Sequence, residues 1–250
     1  TGNCLISDNT ICAGGRVFHS ATGVLAMHAS QLVIRHNHIF DLFYSGISCG
    51  WVWGYAESVA RDNLIEKNHI HDLGQGLLSD MGGIYCLGVQ PGTVLRGNLI
   101  SHVTKSHYGG WCLYTDEGSS HILLEGNICH STNGEVFHQH YGRENILRNN
   151  ILAFGGDAQI AHSRMDPEHL GFTLERNIIL TDGAPCYTSG YRGSPEQRNT
   201  IIDLNLYWDI QGRPLTFVDR RQEQAYTFAE WQALGYDTHS LVADPRCADP

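Results

Sequence analysis

The chain has 250 residues, 42% of them hydrophobic and 17% charged, and a formal net charge of -10. That length can bury one long core. The acidic balance argues against nucleic acid or an anionic membrane as partner and mildly against polyanions such as pectin or alginate. No run of 18 apolar residues occurs, so no helical membrane span is expected.

From the first residues onward a motif returns, of which Val94-Leu95-Arg96-Gly97-Asn98-Leu99-Ile100 is the clearest copy. Its asparagine recurs at Asn9, Asn37, Asn68, Asn98, Asn127, Asn150, Asn177 and Asn205, at intervals of 23 to 31 residues. A period of that length is the sign of a solenoid. Three residues before each Asn stand Ile6, Ile34, Ile65, Leu95, Leu124, Leu147, Leu174 and Ile202. Two after it stand Ile11, Ile39, Ile70, Ile100, Cys129, Leu152, Ile179 and Tyr207. Both columns must face a core. Two residues before the Asn come Ser7, Arg35, Glu66, Arg96, Glu125, Arg148, Glu175 and Asp203, alternating in sign along most of the stack, as solvent-facing neighbours in parallel strands would. The Asn suits a sharp left-handed bend and a stacked amide ladder. Because the motif alternates with period two rather than 3.6, helical repeats are excluded. The expected fold is all-β: a single-stranded, right-handed parallel β-helix of about 8 rungs, one domain over 1–250, with a C-terminal cap over 226–250. The chain opens at Thr1-Gly2-Asn3 inside a repeat, so an N-terminal part is expected to be missing.

In the first two rungs, Trp51 and Trp53 stand beside glycines and suit either a sugar-stacking surface or a cover for the core end. His36, His38, His69 and His71 flank the next bends. His38 and His69 share a column, which fits a metal pair or a polar surface ladder. With no third ligand joining them by spacing, the ladder is the expected reading and no metal is expected. Among the eight cysteines, Cys129 sits in a core column as a buried thiol, and Cys4 with Cys12 or Cys86 with Cys112 are candidate bridges.

The third to fifth rungs break the pattern on one sheet. Counting back from Asn98, Asn127 and Asn150, Ile84, Leu113 and Val136 point in, while Tyr85, Tyr114 and Phe137 point out. Carboxylates, imidazoles, aromatics and glycines concentrate here, with Gly82, Gly83, Gly109 and Gly110 leaving a groove and Ser101 to Gly110 walling it. Asp116 and Glu117 are adjacent at a strand end, His138 and His140 lie one rung on, and Asp80 one rung before. A carboxylate pair is the minimum equipment for glycoside hydrolysis. Asp80 aligns with Gly109, and reaches Asp116 only if Gly82-Gly83 folds back. Asp80, Asp116, Glu117, His138 and His140 are the candidate catalytic residues, although turn-capping roles for the acids also fit. His138 falls on the inward parity, which suits a core histidine as well as a functional one, so His140 is the better candidate. Tyr85, Trp111, Tyr114, Glu135 and Arg164 are the candidate substrate-binding residues. Beyond Asn205 the repeat stops, and Thr227-Phe228-Ala229-Glu230-Trp231 has capping-box spacing before a short helix ending at Gly235.

At these residues the sequence resembles secreted β-helix proteins of the pectate-lyase-like superfamily. Asp80-Met81-Gly82-Gly83-Ile84-Tyr85, Tyr114-Thr115-Asp116-Glu117-Gly118-Ser119-Ser120, Phe137-His138-Gln139-His140-Tyr141-Gly142 and His239-Ser240-Leu241-Val242-Ala243-Asp244-Pro245 are most similar to glycoside hydrolase family 141. The resemblance implies a retaining fucosidase or xylanase with essential aspartates, carried onto Asp80 and Asp116; the expected protein is secreted or periplasmic, a monomer, and needs no cofactor to act on a xylan- or fucose-containing polysaccharide. Two alternatives stand beside it. A polysaccharide lyase would need a Lys or Arg base and often calcium, and on the proposed face only Arg164 is basic. A non-catalytic carbohydrate-binding module would use the same groove.

Overall fold

The computed structural model describes residues 2–164, 166–192, 199–220 and 222–247. Among the described residues it is an all-β coil of strands stacked into an eight-stranded, two nine-stranded and one two-stranded sheet, parallel except for the pairing of Phe217–Asp219 with Gln224–Tyr226, with one short helix at Phe228–Ala233. Each rung contributes three strands in turn. Around Asn98 they are Val94–Arg96, Leu99–Val103 and Gly110–Thr115. We call their sheets the charged sheet, the histidine sheet and the cleft sheet. The eight strands of the charged sheet leave seven turns of chain between them.

Register follows the asparagine alignment on the charged sheet. Leu95 stands between Ile65 and Leu124, and Arg96 between Glu66 and Glu125. The apolar columns are buried at 3% exposure or less from Ile34 and Ile39 onward. They join one core cluster running from Val24 to Tyr236. Outside the coil, Arg96 pairs with Glu66 and Arg148 with Glu125, each at 2.9 Å. The arginines of these pairs are 40–50% exposed, although Glu66 itself is buried, so each pair contributes on the order of 1 kcal/mol.

The asparagines hold the rungs in register. Each Asn donates its Nδ2 to the Oδ1 of the next, at 2.9 to 3.1 Å, from Asn9 through Asn205, and all but Asn9 are buried. That same Oδ1 also accepts the preceding Asn backbone N–H. The second Nδ2 proton goes to a backbone carbonyl one rung back, as from Asn98 to Ile65 at 3.0 Å. The left-handed bend, however, belongs to the residue before each Asn and not to the Asn itself. Asp8, His36, Lys67, Gly97, Gly126, Asn149, Arg176 and Leu204 all have φ between 51° and 63°. The Asn keeps ordinary φ because its side chain must turn inward to the ladder. Glycine at 97 and 126 relieves the cost that a side chain bears there.

The far end of the ladder is closed by Asp237. Its carboxylate accepts from Asn205 Nδ2 at 3.1 Å, Tyr207 Oη at 2.9 Å and Trp231 Nε1 at 2.8 Å. The helix bears the expected capping box between Thr227 and Glu230, and it ends at Ala233, short of Gly235. It buries Trp231 against Phe217, with ring centroids 4.9 Å apart. Residues 248–250 of the expected cap lie outside the described residues.

Neither candidate bridge forms, and all eight cysteines are free. Cys86 stands opposite Thr115 and Cys49 in register, not opposite Cys112, which sits three positions back along its strand. Cys129 is a fully buried thiol.

The ladder account is checked by Asn98→Ala, which leaves the buried Asn68 amide donors and the Ile65 carbonyl unpartnered. A loss of about 3 kcal/mol is expected by denaturant unfolding, against 1 kcal/mol or less for Arg96→Ala. Equal costs would contradict it.

Candidate active site

The cleft sheet sets the site through a one-residue difference in turn length. From Leu113 to Asn127 is 127 − 113 = 14 positions, while from Phe137 to Asn150 is 150 − 137 = 13. Because strand parity has period two, one missing turn residue exchanges the faces of the whole strand. Leu113 therefore pairs with Phe137 and Tyr114 with His138, which corrects the expected parity of this rung. Phe137 is buried in the core, while His138 points out beside Tyr114 and Tyr85. The candidate reading of His138 as an inward core residue is thereby overturned.

A cleft of about 520 Å³ opens over this face. Asp80, Asp116, Glu117, Glu135, His138 and His140 line it, together with Trp53, Tyr108, Trp111 and Tyr114. All five candidate catalytic residues thus reach one cavity. Of the candidate binding residues, Trp111, Tyr114 and Glu135 line it and two do not. Tyr85 lies beneath the cleft, 3% exposed. Arg164 lies over the Tyr141 ring, 4.7 Å from its centroid. Of the two early tryptophans, Trp53 faces the cleft and Trp51 packs on Tyr85, with centroids 5.0 Å apart.

Asp80 comes to Asp116 without the expected fold-back. Gly82 and Gly83 stay in the regular strand Met81–Leu87, and a Cβ at Gly83 would stand 2.3 Å from the Ile100 side chain, so this glycine serves close core packing and not the groove. Of the four glycines, Gly109 lines the cleft; its φ is +62° and a Cβ there would crowd Trp111 and the Asp80 backbone. Asp80 itself adopts φ +60°, in the left-handed region, at the start of its strand. The remaining gap is bridged by tyrosine. Tyr114 Oη donates to Asp80 Oδ1 at 3.2 Å and is also within hydrogen-bonding reach of Asp116. Tyr85 Oη donates to Asp116 Oδ2 at 2.5 Å. Burial, helped by the neighbouring carboxylates, pushes both phenols far above their ordinary range, so they act only as donors.

This arrangement treats the two aspartates differently. Burial, and then the charge of Asp116, holds the Asp80 carboxyl above the ordinary aspartate value, although Tyr114 and Tyr108 donate to it. Asp116 is 5% exposed and has the short Tyr85 contact. Glu117 faces His140 at 3.7 Å and accepts from Tyr141 Oη at 3.3 Å. His140 Nδ1 lies 3.4 Å from Ser163 Oγ, and Ser163 Oγ lies 2.6 Å from His138 Nε2. Burial, then the proximity of His140, His162 and Arg220, holds His138 well below the usual histidine range, hence neutral.

Four cleft residues, Lys105, Asp157, Ser163 and Arg220, carried no signal in the sequence pattern. Lys105, from the loop walling the groove, is ion-paired with Asp157. Arg220, beyond the last repeat, reaches Glu135 at 3.1 Å. Glu135 in turn accepts from Trp111 Nε1 at 2.8 Å and fixes that ring. Ser163 links the two histidines. The cleft therefore holds two cations, Lys105 and Arg220, and the expectation that Arg164 is the basic residue of this face is corrected. Each cation is neutralised by its partner, and the acidic groups Asp80, Asp116 and Glu117 are in excess of the cations.

A solved structure titled "Glycoside hydrolase" is similar to this chain. The match has 30% sequence identity and a TM-score of 0.53 over 58% of this chain. It covers 25% of that chain, so the present sequence corresponds to about a quarter of the neighbour's length. No family model matches the chain, and no curated protein matches it.

The account of His138 is tested by ring-nitrogen NMR. The ring is expected to stay neutral at about pH 6.5, where an ordinary histidine is half protonated. Protonation of His138 at or above that pH would contradict its burial against Trp111 and Ser163.

Proposed function

We propose that the cleft hydrolyses O-glycosidic bonds of a plant or microbial polysaccharide, a xylan- or fucose-containing glycan, with the chain akin to glycoside hydrolase family 141. The observation that carries this reading is the pair Asp80 and Asp116, brought to one aromatic-walled cleft by two tyrosine donors and set apart by environment. A carboxyl whose proton is held more tightly by burial and by a charged partner, beside a second carboxylate, is the division of labour that glycoside hydrolysis uses. In its protonated form Asp80 gives its proton to the glycosidic oxygen as that bond breaks, and Asp116 stabilises or attacks the anomeric carbon. In the retaining form of the proposal, water, deprotonated by Asp80, then releases the sugar from Asp116. Trp53, Tyr108 and Trp111 offer flat faces for sugar stacking. The excess of acidic groups favours a neutral glycan over a uronate polymer. The likeness to a solved glycoside hydrolase supports the same class.

Lys105 and Arg220 supply a reason to weigh the lyase, which abstracts a proton beside a uronate carboxylate. Their ion pairs with Asp157 and Glu135 leave neither as a free base. The mass of the products separates the readings: hydrolysis adds one water per cleavage, elimination adds none and leaves an ultraviolet-absorbing double bond.

Three outcomes are expected. A polysaccharide panel yields products each heavier by one water, and the first-formed sugar keeps its anomeric configuration by NMR. Asp80→Asn and Asp116→Asn each lower kcat by on the order of 10²- to 10⁴-fold. Binding without cleavage, or full activity in both variants, would overturn the proposal. The third concerns pH. Because the folded Asp80 pKa lies above its unfolded value, its contribution to stability is present below the unfolded value and is lost as pH rises through the folded one. Asp80→Asn is therefore expected to raise the melting temperature at neutral pH while activity falls, and a lowered melting temperature would contradict this.

A further inference from the structure

The histidine sheet carries a second cluster, on a different face of the coil from the cleft. The strands His38–Leu42 and His69–Leu73 run side by side, with His38 opposite His69 and Phe40 opposite His71. Side chains at i and i+2 share a face of a strand, and neighbouring strands stand about 4.8 Å apart. His71 thus joins His38 and His69 as the third member that sequence spacing along one column did not reveal. One ligand atom from each of the three lies within 4.8 Å of the others.

The hydrogen-bonding state of the cluster suits a metal. His71 Nδ1 faces Asp72 Oδ2 at 2.8 Å, so that nitrogen carries the proton and Nε2 bears the lone pair. His71 Nε2 in turn lies 2.7 Å from His38 Nε2, a separation that requires a shared proton. The His38 and His69 rings stack with centroids 5.0 Å apart, and the Phe40 ring lies parallel to His71 at 5.1 Å, shielding one side. His69 keeps the other side open to solvent.

We propose that His38, His69 and His71 bind one divalent transition-metal ion, Zn²⁺ in the first instance, with Asp72 orienting His71 from behind. Three imidazoles with a carboxylate behind one of them match the preferences of zinc, copper and nickel over calcium or magnesium. Ligand distances of about 2.0–2.1 Å need ring nitrogens about 3.3 Å apart, so His38 and His71 must open by roughly 0.6 Å, a small rotation of partly exposed side chains. Binding replaces the proton shared between the two Nε2 atoms and releases it to solvent, or transfers it to His38 Nδ1 as the tautomer changes. The ion ties the second rung to the third, and solvent takes the remaining coordination position. The site is independent of the proposed hydrolysis.

Calorimetric titration of the whole chain with Zn²⁺ tests the site, with Ni²⁺ as a second probe. One ion per chain is expected, with a melting temperature that rises on Zn²⁺ addition. His38→Gln and His71→Gln are each expected to weaken binding by at least about 10-fold and to abolish the thermal shift, and Asp72→Asn by about 10- to 100-fold. Asp72 has φ 52°, which asparagine accepts, so that variant keeps its backbone. No binding, or equal affinity in wild type and all three variants, would overturn the proposal; the second result would place the ion elsewhere, as at the Asp166, Glu168 and His169 group.

Discussion

The structure depends on one hydrogen-bonded chain of buried amides. Each asparagine carbonyl oxygen accepts from the side chain and the backbone of the asparagine one rung before, so no rung can slip without leaving several buried polar groups unpaired. Apolar burial alone would not enforce this, because leucine and isoleucine columns tolerate sliding. The ladder therefore converts a loose repeat into a fixed register, and register decides which side chains meet on the cleft sheet. Asp237 ends the ladder with a charged acceptor, and Trp231, held by that carboxylate, closes the core beneath the helix.

On that frame the cleft departs from the rules obeyed elsewhere. The outward columns of the charged sheet hold paired charges in water, whereas the cleft sheet buries Asp116 and half-buries Asp80 near each other. Two like charges in a poorly solvated site cost stability, and phenol donors offset only part of that cost. Around them, Lys105 with Asp157 and Arg220 with Glu135 hold the rim in place, and Glu135 locks Trp111 against His138, whose ring centroid is 4.2 Å away. The result is an acid and its carboxylate partner with aromatic surfaces on either side.

Most of the frame was legible in the sequence because it repeats. Counterparts of Asn68 and Ile65 recur in every rung, and the charge at Glu66 alternates in sign along most of them, so their roles emerge from counting. The parity of His138 was not legible, since it turns on one residue lost between Phe137 and Asn150, and a column count anchored at the Asn carries that loss into the wrong face. The bend residue was half legible: Gly97 and Gly126 mark it, but Lys67 and Arg176 hide it. Asp80 could be named from its motif, while its route to Asp116 runs through the Tyr114 hydroxyl, a side-chain reach that strand spacing does not encode. Lys105, Asp157 and Arg220 come from loops and late rungs of irregular length, where periodicity carries no information.

The ladder places Asp80 close enough to Asp116 for the charge of one carboxylate, with burial, to raise the pKa of the other. Carboxyl-carbon NMR titration of Asp80, in the wild type and in Asp116→Asn, measures this directly. The expected result is a wild-type Asp80 pKa above the ordinary aspartate value of about 3.9, with part of the elevation lost in the variant and the part due to burial retained. An ordinary Asp80 pKa in the wild type, or an elevation that Asp116→Asn leaves untouched, would contradict it.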